Sequence, residues 1–230
     1  YRFAQVAAAE GLITIDDPES ILKCTNKVFL AELLTRNEID HPKTLIVHRG
    51  NHDQIERTVG FPCILKQPDS SFSQGVFKVE NEEQLKGALD DLFDKSDLVI
   101  VQEFMPSEFD WRVGIIDRKA IYVCKYFMAK RQWKIQHTEK GGTTSYGEVE
   151  TLRVEDAPPA VVETALKAAN LIGDGLYGVD LKEIDGRVMV IEVNDNPSID
   201  CGFEDAVLKD DLYRQIMEVF LKRIEERKAK

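Results

Sequence analysis

The segment from residue 178 to residue 200 constrains the fold more than any other part of the chain. It contains two extended, largely apolar runs, GVDLKEI and RVMVIEV, on either side of the dipeptide Asp185-Gly186. An Asp-Gly pair between two such runs is typical of a tight β-hairpin turn. Because alternate residues of a strand point to the same side of a sheet, Glu192 and Asn194 share one face. The hairpin predicts that Asp180 returns towards this pair.

The chemistry of these three side chains suits a hard divalent cation. Mg²⁺ prefers oxygen ligands and takes one or two carboxylates, which leaves coordination positions for water and phosphate oxygens. Acidic residues in a hairpin more often face solvent, and this alternative stays open. The ending NDNPS favours a metal site, because the strand that carries Glu192 and Asn194 reaches a proline-limited turn without becoming polar throughout. Nucleotide chemistry is therefore the first hypothesis.

Composition excludes two classes of protein. The chain has 230 residues, of which 43% are hydrophobic and 31% charged, as in an ordinary globular protein. No apolar run approaches the roughly 18 residues that a membrane-spanning helix needs. The net charge of -11 argues against nucleic-acid binding, which requires a concentrated basic surface. We expect a protein that binds neither membranes nor nucleic acids.

The cysteines indicate the redox environment. Cys24, Cys63, Cys124 and Cys201 are far apart and form no CxxC pair. This spacing supports neither a zinc site nor a disulfide framework. We therefore interpret them as reduced thiols of a cytoplasmic protein.

Hydrophobic periodicity divides the chain into two stretches of different character. Up to about residue 97, strands alternate with helices, whereas a run of strands begins at Leu98 and is followed by a glycine-containing polar loop and two helices that flank the hairpin. The first run of the chain is predicted as the end of a helix and a short strand. The predicted helices cover residues 25–35, 52–59, 81–93, 161–173 and 210–228, and the early strands cover residues 43–48, 62–66 and 76–79.

Polar side chains stand where several of these strands end. Lys66 ends the strand CILK and precedes a loop with Ser71 and Ser73, whose hydroxyls and backbone N–H groups could hold phosphates. A plain hairpin linker explains such a loop equally well. The segment VQEFMPSEFDWR places Glu108 and Asp110 after an apolar strand, where backbone groups could read an adenine edge and a carboxylate could bind ribose hydroxyls. The alternative is a set of surface charges.

Basic residues follow on the next predicted strands. Arg112, Lys125, Lys134 and His137 lie on consecutive strands. Alternation could gather them on one face, opposite the metal ligands. Such a cluster would neutralise phosphates and stabilise the charge that develops during group transfer.

These elements occur in a particular order along the chain. A lysine in an early helix, a lysine before a Ser/Gly loop, a QEF hinge, DxR, GVD and ExN follow one another between about Ile15 and Leu221. No single element is specific, but the six in this order resemble the ATP-grasp enzymes. The resemblance is strongest to the RimK-like glutamate ligases and more distant to glutathione synthetase and D-alanine ligase.

This resemblance implies an α/β (α+β) fold with two lobes, each built on a mainly antiparallel sheet, and a nucleotide bound between them. Residues 16–97 would form the small lobe with a phosphate-binding flap. Residues 98–230 would form the large lobe with the adenine hinge and the metal site. Residues 1–15 would be the tail of a preceding domain, which in such ligases helps to bind the acceptor. The implied cofactors are ATP and two divalent metal ions, either Mg²⁺ or Mn²⁺.

The resemblance also implies a role for each candidate residue. Lys27 and Lys66 match the lysines that contact the ATP phosphates, and the serine-rich loop with Ser71 and Ser73 matches the flap that closes over them. The adenine hinge would be Gln102, Glu103 and Phe104, and the ribose ligand Asp110 or Glu108. Arg112 and Lys125 match basic residues near the phosphates and the acyl group, and Lys134 to His137 match the stretch that closes the nucleotide site. The metal ligands would be Asp180, Glu192 and Asn194.

The implied reaction joins a carboxylate to an amine. ATP would phosphorylate the carboxylate, and an amine would attack the acyl phosphate, with catalysis by positioning and electrostatics. Glutamate or a similar amino acid is suggested as one substrate, and a small molecule, a peptide or a protein tail as the other. An ATP-grasp kinase and a non-catalytic ATP-binding module are the alternatives. Phe72 in the flap and Asp195-Asn196 after ExN depart from the family pattern, which leaves the identity of the substrate open. The oligomeric state is also open.

Overall fold

The chain folds into helices and strands in the computed structural model, which describes residues 1–69, 75–129, 136–138 and 144–229, with the backbone alone for 136–138 and 144–146. The helices are α1 (Arg2–Ala9), α2 (Pro18–Thr25), α3 (Lys27–Arg36), α4 (Ile55–Thr58), α5 (Glu82–Phe93), α6 (Pro159–Ile172) and α7 (Asp210–Lys228). The strands are β1 (Thr44–Val47), β2 (Cys63–Lys66), β3 (Val76–Val79), β4 (Val99–Glu103), β5 (Phe109–Ile116), β6 (Lys119–Phe127), β7 (Gln136–Thr138), β8 (Thr144–Tyr146), β9 (Val149–Leu152), β10 (Leu176–Ile184) and β11 (Arg187–Asp195).

The chain divides into two units. The smaller unit is Lys23–Met105, and the larger unit comprises Tyr1–Leu22 and Pro106–Lys230. We predicted a lobe boundary near residue 97. The strand that follows this point, β4, pairs with β1 and β2 and lies in the smaller unit.

The smaller unit is built on a four-stranded antiparallel sheet with the strand order β1-β4-β2-β3. Helix α5 packs on it because its leucines recur at helical spacing: Leu85, Leu89 and Leu92 are buried. The helix begins at Asn81, whose side chain accepts a hydrogen bond from the backbone N–H of Gln84. These leucines join Val99, Val101 and other strand residues in one apolar core.

The larger unit contains a five-stranded sheet with the order β11-β10-β5-β6-β9, antiparallel throughout. Strands β7 and β8 form a separate pair. Two-residue turns join β5 to β6 at Asp117-Arg118 and β10 to β11 at Asp185-Gly186, and all four turn residues have positive φ angles. Turns of this kind match the right-handed twist of the strands that they connect. The turn at Asp185-Gly186 was predicted from the sequence.

Helices α6 and α7 pack against this sheet. The buried side of α6 contains the small residues Ala165, Ala168 and Ala169, which allow close approach to β5, β10 and β11. Helix α7 contributes Leu212 and Ile216 to a second cluster, which includes Tyr122 and Cys124 of β6. The sheet face that carries Cys124 therefore borders the C-terminal helix.

The predicted helices are confirmed to within a few residues, and the Asn26 side chain caps α3 by accepting the backbone N–H of Phe29. The predicted short strand near residues 12–15 is wrong, because these residues form no strand. Helix α2 was not predicted: it begins at Pro18 after Asp17, whose carboxylate accepts the backbone N–H groups of Glu19 and Ser20. In the described part of the chain, every helix is too short or too polar to cross a membrane.

Candidate functional site

The hairpin β10–β11 brings the three predicted metal ligands to one face. Asp180 is the register partner of Glu192, and Gly178 is the partner of Asn194. Residues directly opposite each other on paired strands point to the same side of a sheet, as do residues two apart on one strand. The register shifts immediately after Asp180: Asp180 pairs with Glu192, but the next residue, Leu181, pairs with Val190, so one residue of β11 is skipped. Such β-bulges re-aim side chains and are common near active sites.

Asp180 is the centre of a hydrogen-bonded group. Arg112 of β5 donates from Nε to Oδ1 at 2.7 Å and from an Nη atom to Oδ2 at 2.8 Å, and Asn194 donates from Nδ2 to Oδ2 at 3.0 Å. The Arg112 and Asp180 side chains are 19% and 18% exposed. Burial lowers the pKa of Arg112, but the Asp180 carboxylate more than offsets this and raises it overall. The guanidinium therefore keeps its charge.

The donor set fits a hard divalent cation. Asp180 and Glu192 supply two carboxylates and Asn194 an amide carbonyl, the oxygen ligands that Mg²⁺ prefers. Across the residues that the structure describes, no three His, Cys, Asp or Glu side chains converge on a common point. Asn194 is therefore the candidate for the third donor of the predicted site.

A glycine fixes the approach of the turn that follows these ligands. A Cβ atom on Gly178 would lie 2.8 Å from Cβ of Pro197. The proline of the NDNPS segment thus packs directly on the β10 backbone. This contact holds the end of β11 against β10, beside Asn194.

Asp16 holds the same end of the hairpin. Its carboxylate accepts the backbone N–H of Leu176 at 2.5 Å and that of Asn196 at 2.8 Å, so it joins the start of β10 to the end of β11. Asp16 is 7% exposed. Burial raises its pKa to about 6, although the two backbone N–H groups lower it. The residue was not predicted, because nothing in its local sequence shows that it meets residues 160 to 180 positions away.

Aromatic and acidic side chains of the same face surround Arg112. The guanidinium carbon lies 5.0 Å from the centre of the Tyr126 ring, and the Tyr126 hydroxyl donates to Glu204. Glu204 is 3% exposed and also accepts the backbone N–H of Asp200 at 2.7 Å. The hydroxyl of Tyr122 is buried with no hydrogen-bond partner among the described residues. The sequence signal for these residues was the alternation in AIYVCKYF, which sets Tyr122 and Tyr126 on one face.

Asp110, the predicted ribose ligand, is paired with a lysine. Lys182 Nζ donates to Asp110 Oδ1 and to the hydroxyl of Ser107, which itself donates to Asp110 at 2.9 Å. Burial raises the pKa of Asp110, although Lys182 lowers it. Lys182 was not predicted, although it lies two residues after Asp180 and thus on the same face. Glu108, the second ribose candidate, is exposed.

The structure does not bring Lys125 to Arg112. Arg112 pairs with Cys124, so the next residue, Lys125, points to the opposite face of the sheet. There its Nζ bonds Glu150 at 2.9 Å and lies 5.5 Å from the Trp111 ring centre. The predicted gathering of these two basic residues on one face is wrong, because the pleat separates them.

The other basic candidates of this region are described less fully. Lys134 lies outside the described residues. His137 lies on β7, where its backbone pairs with Ser145, and its side chain lies outside the described part. Their predicted roles stay predictions.

In the smaller unit, Lys27 and Lys66 flank the same loop. Lys66 ends β2, and the backbone N–H of Gln67 donates to Gly75 at 3.2 Å across the loop. Lys27 begins α3, and its backbone N–H donates to Pro68 at 3.1 Å. The predicted flap residues Ser71 and Ser73 lie outside the described residues.

Lys66 also contacts the predicted hinge. Its Nζ donates to Oε1 of Gln102 at 2.5 Å, and Gln102 in turn donates to Thr44 at 3.0 Å. Gln102 is 8% exposed. Both the oxygen and the nitrogen of its side-chain amide are therefore hydrogen-bonded, and Lys66 is held against β4.

The two residues after Gln102 are anchored through their backbone. The N–H of Glu103 donates to Lys43 at 2.9 Å, and that of Phe104 donates to Pro62 at 3.3 Å. The Phe104 ring lies 4.2 Å from Nζ of Lys78. The QEF segment is thus fixed in the smaller unit, next to the strand that ends in Lys66.

Comparison with known proteins relates both units to one family. The model of the RimK-like ATP-grasp domain matches residues 24–220. A probable alpha-L-glutamate ligase of Vibrio atlanticus is 26% identical over 204 residues, covering 87% of this chain and 64% of that protein. The alpha-aminoadipate–LysW ligase LysX of Saccharolobus solfataricus is 27% identical over 196 residues, covering 81% of this chain and 67% of that protein. The chain thus spans about two thirds of the length of these relatives.

Solved structures show the same fold. D-alanine–D-alanine ligase from Bacillus anthracis has a TM-score of 0.74 at 19% identity and covers 97% of this chain and 76% of its own. VanG D-Ala:D-Ser ligase from Enterococcus faecalis has a TM-score of 0.69 at 21% identity and covers 85% of this chain and 59% of its own. The predicted ATP-grasp fold of the α+β class, with antiparallel sheets and helices, is confirmed. Since the family model covers most of its length, the chain belongs to the RimK-like ATP-grasp family.

Proposed function

We propose that the protein is an ATP- and Mg²⁺-dependent carboxylate-amine ligase that forms an amide bond through an acyl phosphate. The observation that carries this proposal is the group formed by Asp180, Glu192 and Asn194 on one sheet face, with Arg112 directly beside Asp180. Cation ligands and a permanently charged guanidinium are what transfer of a phosphoryl group to a carboxylate requires.

The larger unit would supply the groups at the reacting phosphate. Asp180, Glu192 and Asn194 would hold the cation, which when bound neutralises phosphate charge and polarises phosphoryl oxygens. Arg112 would stabilise the charge on the carboxylate and on the acyl phosphate. Asp110 would bind ribose hydroxyls, oriented by its contact with Lys182. Lys125 receives no role at the reacting atoms, because it points to the other face of the sheet.

The smaller unit would bind the rest of the nucleotide. Lys27 and Lys66 would contact phosphates, since both border the loop that begins after β2. Gln102, Glu103 and Phe104 would form the adenine hinge, and Ser71 and Ser73 would belong to the flap. Such a flap excludes water and so protects an acyl phosphate from hydrolysis.

The names of two relatives suggest the acid substrate. One is called a glutamate ligase and the other an aminoadipate ligase, and both amino acids carry a second carboxylate. We therefore propose an acidic amino acid as one substrate. The amine would come from a small molecule, a peptide or a protein tail.

Hydroxylamine trapping tests this function. The protein is incubated with ATP, Mg²⁺, hydroxylamine and, separately, glutamate, 2-aminoadipate or alanine, and hydroxamate and ADP are measured. We expect hydroxamate with the acidic amino acids, and its loss in Glu192→Gln. Glu183→Gln is the matched control, because Glu183 lies on the same hairpin but on the other face of the sheet, where its carboxylate accepts a hydrogen bond from Trp111 Nε1 at 3.1 Å.

Other outcomes would replace the proposal. Phosphorylation of a hydroxyl compound without hydroxamate would indicate a kinase. ATP binding without ADP formation in the presence of every acid would indicate a binding module. Hydroxamate formation that Glu192→Gln leaves unchanged would remove the assigned metal ligand.

A further inference from the structure

The carboxylate of Asp180 is almost fully used by protein donors. A carboxylate offers about four acceptor positions on its two oxygens. Arg112 occupies one position on each oxygen, and Asn194 occupies a second position on Oδ2. A cation that binds Asp180 must therefore share or displace these donors.

The amide of Asn194 makes the conflict sharper. Its Nδ2 points at Asp180 Oδ2, at 3.0 Å. The amide thus presents a donor, and not its oxygen, to Oδ2 of Asp180. A cation bound to Oδ2 must therefore compete with this N–H donor as well as with Arg112.

The position of Arg112 adds a repulsive term. Its charged group lies within hydrogen-bonding distance of both Asp180 oxygens, in a partly buried setting where charges are weakly screened. A divalent cation on either oxygen would stand beside this positive charge. The two hydrogen bonds from Arg112 to Asp180 are also coupled, because the guanidinium is planar and rigid. A cation that displaces the Nη donor from Oδ2 therefore also tilts Nε away from Oδ1.

We propose that Arg112 and the divalent cation compete for Asp180, so that cation binding releases the Arg112 guanidinium for the anionic substrate. This inference rests on the proposed function, because it assigns Arg112 to the acid substrate of the same site. It makes cation binding and acid binding mutually reinforcing: the cation frees the arginine, and an anion that captures the arginine frees Asp180.

The surroundings of Arg112 allow this exchange. The Tyr126 ring lies against the guanidinium, and Glu204 fixes the Tyr126 hydroxyl. This aromatic surface stays in contact with Arg112 without using its N–H donors. The guanidinium can thus leave Asp180 while one of its faces remains packed.

The test measures cation affinity directly, without turnover. Free Mn²⁺ is quantified by electron paramagnetic resonance during titration of the wild-type protein, Arg112→Gln and Arg112→Lys. Competition predicts that Arg112→Gln binds Mn²⁺ more tightly, on the order of tenfold. Arg112→Lys should fall between the two, because an ammonium keeps the charge but cannot span both oxygens. Arg223→Gln, whose arginine is 18% exposed against 19% for Arg112, should match the wild type.

A double-mutant cycle separates competition from a general effect of charge. If Arg112 competes at Asp180, the tightening caused by Arg112→Gln disappears in an Asp180→Asn background. If Arg112 acts only as a nearby positive charge, Arg112→Gln still strengthens Mn²⁺ binding in the Asp180→Asn background, where Glu192 remains as a ligand. That result overturns the proposal. Thermal unfolding of each variant is measured in parallel, and Arg112→Lys provides the comparison if Arg112→Gln does not fold.

The outcomes distinguish this inference from the function on which it rests. Absence of Mn²⁺ binding by the wild type and by Arg112→Gln contradicts the metal site itself. Binding that requires Asp180 and Glu192 but weakens or stays unchanged in Arg112→Gln retains the metal site and overturns the competition.

Discussion

Asp16 gives the protein a pH-dependent stability that can be worked out from the structure. Its folded pKa is about 6, against 3.8 for an unperturbed aspartate, because burial penalises the charged form. The folded protein therefore binds this proton more tightly than the unfolded chain does. The stabilisation is complete below pH 3.8 and is lost as the pH rises through about 6.

The size of this stabilisation follows from the shift in the pKa of Asp16. Each unit corresponds to about 1.36 kcal/mol, so the shift from 3.8 to about 6 corresponds to about 3 kcal/mol. We expect the unfolding free energy of the wild type, relative to Asp16→Asn, to fall by about 2.4 kcal/mol between pH 4 and pH 7.5, since part of the stabilisation is already lost at pH 4. The asparagine does not titrate, so the comparison isolates one carboxyl group.

Urea unfolding followed by tryptophan fluorescence measures this difference. Trp111 belongs to the larger unit and is 3% exposed, so its signal reports on the unit that contains Asp16. Asp117→Asn serves as the control, because a hydrogen bond from Lys222 lowers the pKa of Asp117. Its contribution is lost only as the pH falls below this window, so the control difference should stay flat. A difference between wild type and Asp16→Asn that does not change with pH would refute the reasoning.

Three further predictions test other contacts. Gly178→Ala should destabilise the larger unit by about 1–3 kcal/mol, because the new Cβ would lie 2.8 Å from Pro197; urea unfolding measures this, and an unchanged midpoint contradicts the packing. Lys66→Met should raise the KM for ATP, whereas Lys86→Met, at an exposed lysine of α5, should leave it unchanged; a lowered Tm without a change in KM would limit Lys66 to a structural role. Thiol titration of the native protein should find one fast-reacting cysteine, Cys201, since the other three are buried, and unfolding should expose all four; several fast thiols in the native protein would contradict this burial.

Local patterns predicted much of the fold. Asn81 and the leucine spacing predicted α5, because capping and helical periodicity act within a few residues of one another. The Asp185-Gly186 turn predicted the β10–β11 hairpin, and with it the shared face of Asp180, Glu192 and Asn194. These features depend on residues that are neighbours in sequence.

Contacts between distant residues could not be derived in the same way. Strand β6 is apolar along much of its length, and its sequence does not state which residue opposes Arg112. The register settled this: it places Cys124 opposite Arg112 and turns Lys125 to the other face. A shift of one residue would have reversed this result, because side chains alternate with a period of two.

The sequence by itself determined the types of candidate ligand and their spacing, namely two carboxylates and an amide on a hairpin that follows DxR. Only the tertiary structure decided their partners: Arg112 on both oxygens of Asp180, Lys182 on Asp110, and Asp16 across the ends of the hairpin. Side-chain hydrogen bonds act over about 3 Å, so they form only after the sheet has set the distances between its strands.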